Sequence, residues 1–184
     1  MAHVPLSDLW IPIVVAAVVV FVASSIMHMV LKYHRSDYRQ LQNEAELLGV
    51  LGKSKPAPGT YHFPYCAEMK DMKSPEMQEK LKGPVGLLVM TGAPNMGKLL
   101  GLWFVYGLLV SLFCAYLAGR TLTAEADYLI VFRVVGTAAF MAYGLSQMVD
   151  SIWKGQIWSN TIKHICDGLV YALLTAGVFG WLWP

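Results

Sequence analysis

Residues 9–31 read LWIPIVVAAVVVFVASSIMHMVL, a run without Asp, Glu, Lys or Arg. A helix of about 20 apolar residues is long enough to cross the hydrocarbon core of a bilayer. Three further apolar runs of similar length follow, at residues 99–117, 128–149 and 165–183. The pattern predicts an all-α polytopic membrane protein with four transmembrane helices in one bundle, at about residues 9–32, 98–118, 128–150 and 164–183.

The composition fits a membrane protein better than a soluble one. Charged residues make up 14% of the 184 positions and apolar residues 56%, whereas soluble domains average roughly 25% and 45–50%. The net charge of +2 offers no basic excess for binding nucleic acid. The length predicts one domain, residues 1–184. Two of the three cysteines lie inside apolar runs, so we expect no disulfide.

Positive charge is distributed unevenly around the four runs. All but Arg120 and Arg133 of the 14 Lys and Arg residues lie between the first and second runs or between the third and fourth. Lys and Arg accumulate on the cytoplasmic side of membrane proteins. The chain is therefore predicted to have both termini outside and a cytoplasmic loop at about residues 33–97.

This loop is predicted to be short and helical. Ser36 can cap a helix, because apolar residues follow it at helical spacing: Tyr38, Leu41, Ala45 and Leu48. A second short helix should begin at Ser74, where a cap residue precedes Pro75, and stop at Gly83. The loop is too short to be a separate catalytic domain.

Two of the predicted spans carry small residues at every fourth position. The second has Gly107, Ser111, Ala115 and Gly119, and the fourth has Gly168, Ala172, Ala176 and Gly180. Such stripes let membrane helices approach closely. They predict helix-packing seams, either within one chain or in a homo-oligomer or a larger membrane complex.

Polar residues gather in the inner half of the predicted bundle: His28, Gln147, Asp150, His164 and Asp167. Ionisable residues in membrane spans usually face the protein interior and indicate a functional site. One interpretation is structural, with side chains that reach headgroup water or bridge one another. A second is a hydrated cavity in which His164 and Asp167 exchange protons, and a third is a haem with His28 and His164 as axial ligands.

Other motifs predict little chemistry. Residues 92–98, GAPNMGK, match half of a phosphate-binding loop, but Leu99 stands where Ser or Thr would bind Mg²⁺. Lys98, at the start of the second span, is a candidate contact for a lipid phosphate. His62 and Cys66 are too few for a zinc site. We therefore predict no catalytic residues, no metal site and no cofactor apart from the haem alternative.

Several segments resemble a group of bacterial four-helix inner-membrane proteins of unknown function. They are YHRSD at 33–37, PNMGK at 94–98, SIWKGQ at 151–156, DGLVYALL at 167–174 and GWLWP at 180–184. The resemblance implies the bacterial inner membrane and supports the topology, but it implies no activity, cofactor or site.

The leading functional hypothesis is a non-catalytic accessory or scaffold subunit, or a structural protein that contacts membrane lipids. Its basis is the pair of small-residue seams and the lack of a catalytic constellation. The alternative is a small-molecule or proton carrier or channel, or a haem-binding redox protein, using the inner polar residues.

Overall fold

The computed structural model describes residues 3–184. Within this range, four helices are long and apolar enough to cross a membrane: Leu6–Val30, Met96–Thr121, Tyr128–Trp153 and Trp158–Trp181. These helices confirm the predicted all-α polytopic membrane fold. The fourth begins about one and a half turns earlier than expected, because polar residues before Lys163 continue the same helix.

The first span is not uniform along its length. A 3-10 turn at Leu6–Leu9 leads into α1, Trp10–Ser25, and a π-helical turn, Ile26–Val30, continues it. A π turn widens the helix locally and is frequent at functional sites. A 3-10 turn at Lys32–Asp37 follows after one extended residue, so the chain reverses its course close to the end of the span.

Two compact units divide the chain: residues up to 38 together with 95–184, and residues 39–94. The second unit contains α2, Glu44–Ser54, and α3, Pro75–Lys80. It also contains an antiparallel sheet of β1, Gly59–Phe63, and β2, Gly86–Met90. The loop therefore contains two short helices, as predicted, together with one small two-stranded sheet.

The predicted start of the first helix in this segment is wrong. Ser36 does not cap a helix, since its hydroxyl donates to the carbonyl of Tyr33 within the 3-10 turn, and α2 begins only at Glu44. The turn is drawn to the membrane bundle by tertiary contacts, which override the local periodicity. The second helix starts where predicted, and the Ser74 hydroxyl caps it by accepting from the Met77 amide.

The remaining helices belong to the first unit. They are α4, Met96–Thr121; α5, Tyr128–Tyr143; α6, Met148–Trp153; and α7, Trp158–Trp181. A 3-10 turn, Leu145–Gln147, separates α5 from α6. The third span therefore changes its helical phase near Gly144.

Close backbone approach at small residues holds this unit together. A Cβ added to Gly168 of α7 would lie 2.5 Å from the Cα of Gly144, so the two backbones are in contact. At the other end of the bundle, the Val4 amide donates to the Gly119 carbonyl of α4 at 3.1 Å. All the predicted seam residues are buried within the chain except Gly180, which is half-buried.

Candidate metal centre

Three histidines and one aspartate meet at the end of the bundle where the first span finishes and α7 begins. His28 comes from the π turn, His34 from the following 3-10 turn, and His164 and Asp167 from adjacent turns of α7. One potential ligand atom from each of the four lies within 4.8 Å of all the others. We call these four residues the histidine cluster.

The imidazole rings of the cluster are stacked. The centroid of the His34 ring lies 4.4 Å from that of His28 and 5.1 Å from that of His164. Nδ1 of His28 faces the Ser24 carbonyl at 3.0 Å. Because a carbonyl only accepts hydrogen bonds, Nδ1 carries the hydrogen, and Nε2 keeps its lone pair in the neutral ring.

Asp167 is the buried centre of the cluster, with 3% of its surface exposed. Its Oδ2 lies 2.7 Å from Nε2 of His34 and 4.0 Å from Nδ1 of His164. Its Oδ1 accepts a hydrogen bond from the Tyr33 hydroxyl. Burial and this hydrogen bond raise the pKa of Tyr33, so the phenol stays a donor. The two oxygens are thus distinguished: one is held by Tyr33 and the other faces the histidines.

Asp37 holds the ring of His34 through Nδ1, the nitrogen that does not contact Asp167. Its Oδ2 lies 2.6 Å from Nδ1 of His34, and its Oδ1 accepts from Nζ of Lys163 at 2.6 Å. Burial alone would raise the pKa of Asp37, but the hydrogen bonds from Lys163 and His34 bring it below the ordinary value. Lys163 also donates to the Tyr33 carbonyl at 3.0 Å and to the Ser36 hydroxyl at 2.7 Å. Lys163 of α7 therefore holds the 3-10 turn Lys32–Asp37 in place through three hydrogen bonds.

A cavity of about 140 Å³ adjoins the cluster. His28, His164 and Asp167 form part of its wall. Five further residues complete the wall: Trp103, Tyr106, Tyr143, Gln147 and Tyr171. The cavity is small compared with the roughly 300–1,000 Å³ pockets that hold organic ligands.

The structure brings together four of the five polar residues that the sequence singled out: His28, Gln147, His164 and Asp167. Asp150 is not among them. Its carboxylate pairs with Nζ of Lys154 at 2.7 Å, away from the cavity, and both side chains are partly exposed. The 3-10 turn after α5 changes the helical phase, so Asp150 does not share the face that carries Tyr143.

Tyr33, His34, Asp37 and Lys163 were missed as site residues. The first three fall in a segment that the sequence assigns to a loop. The spacing of His34 and Asp37, two ionisable side chains three residues apart directly after a span, was the available cue. Only tertiary structure shows that the segment folds back onto α7.

The predicted lipid contact at Lys98 has a specific local setting. Its amide donates to Oδ1 of Asn95 at 3.0 Å, so this first-turn N–H is already capped. The Lys98 side chain is exposed. Any contact with a phosphate would therefore depend on the side chain more than on this amide, and the contact stays a prediction.

A haem between His28 and His164 fits this arrangement poorly. The His34 ring stacks against both of the other rings, in the region that a porphyrin would need. The adjoining cavity is also far smaller than a macrocycle requires. The side chains suit a single small ion better.

No protein family, curated protein or solved structure matches this chain. Function must therefore be inferred from the chemistry of its own residues.

Proposed function

We propose that this multi-pass membrane protein binds one divalent first-row transition-metal ion through His28, His34, His164 and Asp167. The observation that carries the proposal is the approach of the four ligand atoms to within 4.8 Å of one another. Ligands at roughly 2.0–2.2 Å from one ion are at most about 4 Å apart. Side-chain shifts of less than about 1 Å would therefore close the site around a metal.

The groups behind the ligands support this proposal. Metal-bound histidines usually donate their second ring nitrogen to a carboxylate or carbonyl, which fixes the ring and its tautomer. Asp37 stands in this position behind His34, and the Ser24 carbonyl stands behind His28. Tyr33 does the same for one oxygen of Asp167. The site is thus ordered by partners that an accidental cluster would not need.

The type of ligand points to the class of metal. Imidazole nitrogens suit zinc, copper, iron and nickel, whereas Mg²⁺ and Ca²⁺ prefer all-oxygen sites. Three histidines with one carboxylate therefore favour a transition metal. In this arrangement the metal would lie between Nε2 of His34 and Oδ2 of Asp167, which are now 2.7 Å apart.

The proposed location is the bacterial inner membrane, with both termini outside and the metal near the cytoplasmic face. The distribution of Lys and Arg supports this orientation, and membrane lipids are then the immediate partners. A reporter enzyme that is active only outside the membrane, fused after Pro184, should be active. An inactive reporter would indicate the opposite orientation.

Within this proposal the protein is an accessory or scaffold subunit, and the metal fastens α7 to the turn that follows the first span. The small-residue seams of α4 and α7 are buried within the chain, so a partner subunit or second copy would have to use other faces. Purification in mild detergent followed by particle sizing tests this role. A lone monomer without a co-purifying partner would contradict it.

Metal analysis of the purified protein tests the site itself. After chelation and reloading with Zn²⁺ or Co²⁺, we expect about one tightly bound ion per chain. His34→Ala and Asp167→Asn should lose it. His62→Ala is the matched control, because His62 lies exposed on β1. Equal metal content in all four proteins would contradict the proposal, and a Soret absorption band would restore the haem alternative.

A carrier or channel role predicts a different result. In vesicles, Asp167→Asn would then abolish a measured ion flux. Metal binding without flux favours the accessory role instead.

A further inference from the structure

Two tyrosine hydroxyls beside the cavity have no hydrogen-bond partner among the described residues. Tyr143 is 3% exposed and Tyr171 is 4% exposed, and both hydroxyl oxygens are fully buried. Buried polar groups are almost always paired, so an unpaired one usually indicates a missing water, ion or ligand. The unpaired hydroxyls belong to residues that line the same cavity as His28, His164 and Asp167.

Three other polar side chains of the cavity wall already have hydrogen-bond partners. Nε1 of Trp103 donates to the Ser24 hydroxyl at 2.8 Å, and the Tyr106 hydroxyl donates to the Ala142 carbonyl at 3.0 Å. Gln147 donates to the Tyr143 carbonyl at 3.4 Å. The Tyr143 hydroxyl lies against α4, 3.8 Å from the position of a Cβ added to Gly107. Tyr171 is therefore the unpaired hydroxyl beside the histidine cluster.

Tyr171 is placed to act together with the histidine cluster. It follows Asp167 by four residues on α7, so both side chains lie on the same face of the helix. The cavity of about 140 Å³ has room for roughly four water-sized molecules. It can admit an ion of a few atoms but not an organic substrate.

From these observations we propose that the metal keeps an open coordination position towards the cavity, where a small anion binds. The anion is coordinated by the metal and accepts a hydrogen bond from the Tyr171 hydroxyl. This inference rests on the metal site proposed above. A site with four protein ligands leaves one or two positions free when the ion is five- or six-coordinate, and a hydroxyl donor at this position favours a negatively charged ligand.

Azide binding to the Co²⁺-loaded protein tests the inference. Co²⁺ bound to nitrogen and oxygen ligands gives a visible spectrum that changes when a ligand is added. We expect a saturable change as sodium azide is titrated. Tyr171→Phe should weaken the apparent azide affinity by about tenfold or more, while the Co²⁺ content stays the same.

Tyr106→Phe is the matched control. Its hydroxyl already has a partner in the Ala142 carbonyl, so azide affinity should remain that of the unmodified protein. Both substitutions remove only one oxygen. Size-exclusion profiles of the variants in detergent check that each remains folded.

The possible failures are distinguishable. A protein that binds no Co²⁺ contradicts the metal site and, with it, the anion site. A protein that binds Co²⁺ with an unchanged spectrum at saturating azide contradicts the anion site alone. If azide binds but Tyr171→Phe behaves like the control, the Tyr171 hydroxyl does not donate to the anion and the assignment of this donor is wrong.

Discussion

Nε2 of His34 lies 2.7 Å from Oδ2 of Asp167, although the two residues are 133 positions apart in the chain. This contact joins the turn after the first span to the first half of α7. Both groups are almost completely removed from solvent, so neither can exchange its partner for water without cost. The stability of the bundle and the proposed binding of a metal therefore both depend on the contact between His34 and Asp167.

Asp167→Asn should damage both properties. The amide is neutral and replaces one of the two acceptor oxygens with a donor, so the charge-assisted contact with His34 is lost. We expect the free energy of unfolding to fall by about 1.5–3 kcal/mol and metal affinity to fall at least about 100-fold. Thermal unfolding in detergent and a Co²⁺ titration measure the two effects.

Asp150→Asn is the control for that prediction, because the Asp150 carboxylate is partly exposed and, among the described residues, pairs only with Lys154. Exposed ion pairs contribute about 0–1 kcal/mol. Its metal affinity should match that of the unmodified protein. A comparable loss in both variants would place Asp150 in the site after all.

The positioning role of Asp37 gives a second prediction. Asp37 touches His34 through Nδ1 and would not contact the metal. Asp37→Asn keeps the size of the side chain but weakens the hydrogen bond that orients the ring. We expect metal affinity to fall by about 10–100-fold at unchanged stoichiometry. Complete loss of binding would instead make Asp37 a direct ligand, and unchanged affinity would remove it from the site.

The sequence predicted the membrane fold well, because hydrophobic length is a local property. Each span can be read from its own residues, and the charges around it predict the orientation. The polar residues His28, Gln147, His164 and Asp167 could also be placed at one depth from helix geometry alone. Sequence reasoning therefore placed these four side chains at the end of the bundle where the structure brings them together.

The remaining part of the site could not be predicted because it depends on a chain reversal. His34 and Asp37 have helical spacing in a segment that looks like the start of a loop helix. Their position is fixed by Lys163, which bonds to this turn across more than 120 residues of sequence. The prediction for Asp150 failed for a different reason. The break after α5 moves its side chain off the helix face that it would share with Tyr143 in an uninterrupted helix.

The contact between Gly168 and Gly144 gives a third prediction. A methyl group at Gly168 would lie 2.5 Å from the Cα of Gly144, so α5 and α7 would have to separate. Gly168→Ala should cost about 1–3 kcal/mol of stability. Gly101→Ala is the matched control, since no neighbouring group in residues 3–184 lies within 4 Å of a Cβ there. Unfolding temperatures in detergent compare the two, and equal values would contradict the close approach.

Metal removal gives the last prediction. An ion that binds only the folded protein stabilises it by mass action, by about 2.7 kcal/mol when the free ion is at 100 times its dissociation constant. Adding Zn²⁺ to chelator-treated protein should therefore raise the unfolding temperature, and excess chelator should reverse the change. Mg²⁺ at the same concentration should have no such effect, because it binds imidazole weakly.

His164→Ala separates this stabilisation from binding of zinc elsewhere on the protein. His164 is a member of the cluster, but its side chain is 33% exposed, so its removal leaves a small cavity and should be tolerated structurally. In this variant the zinc-dependent rise in unfolding temperature should shrink or vanish, whereas in His62→Ala it should persist. If zinc stabilises all three proteins equally, the stabilising ion is bound outside the histidine cluster and the proposed metal site is wrong.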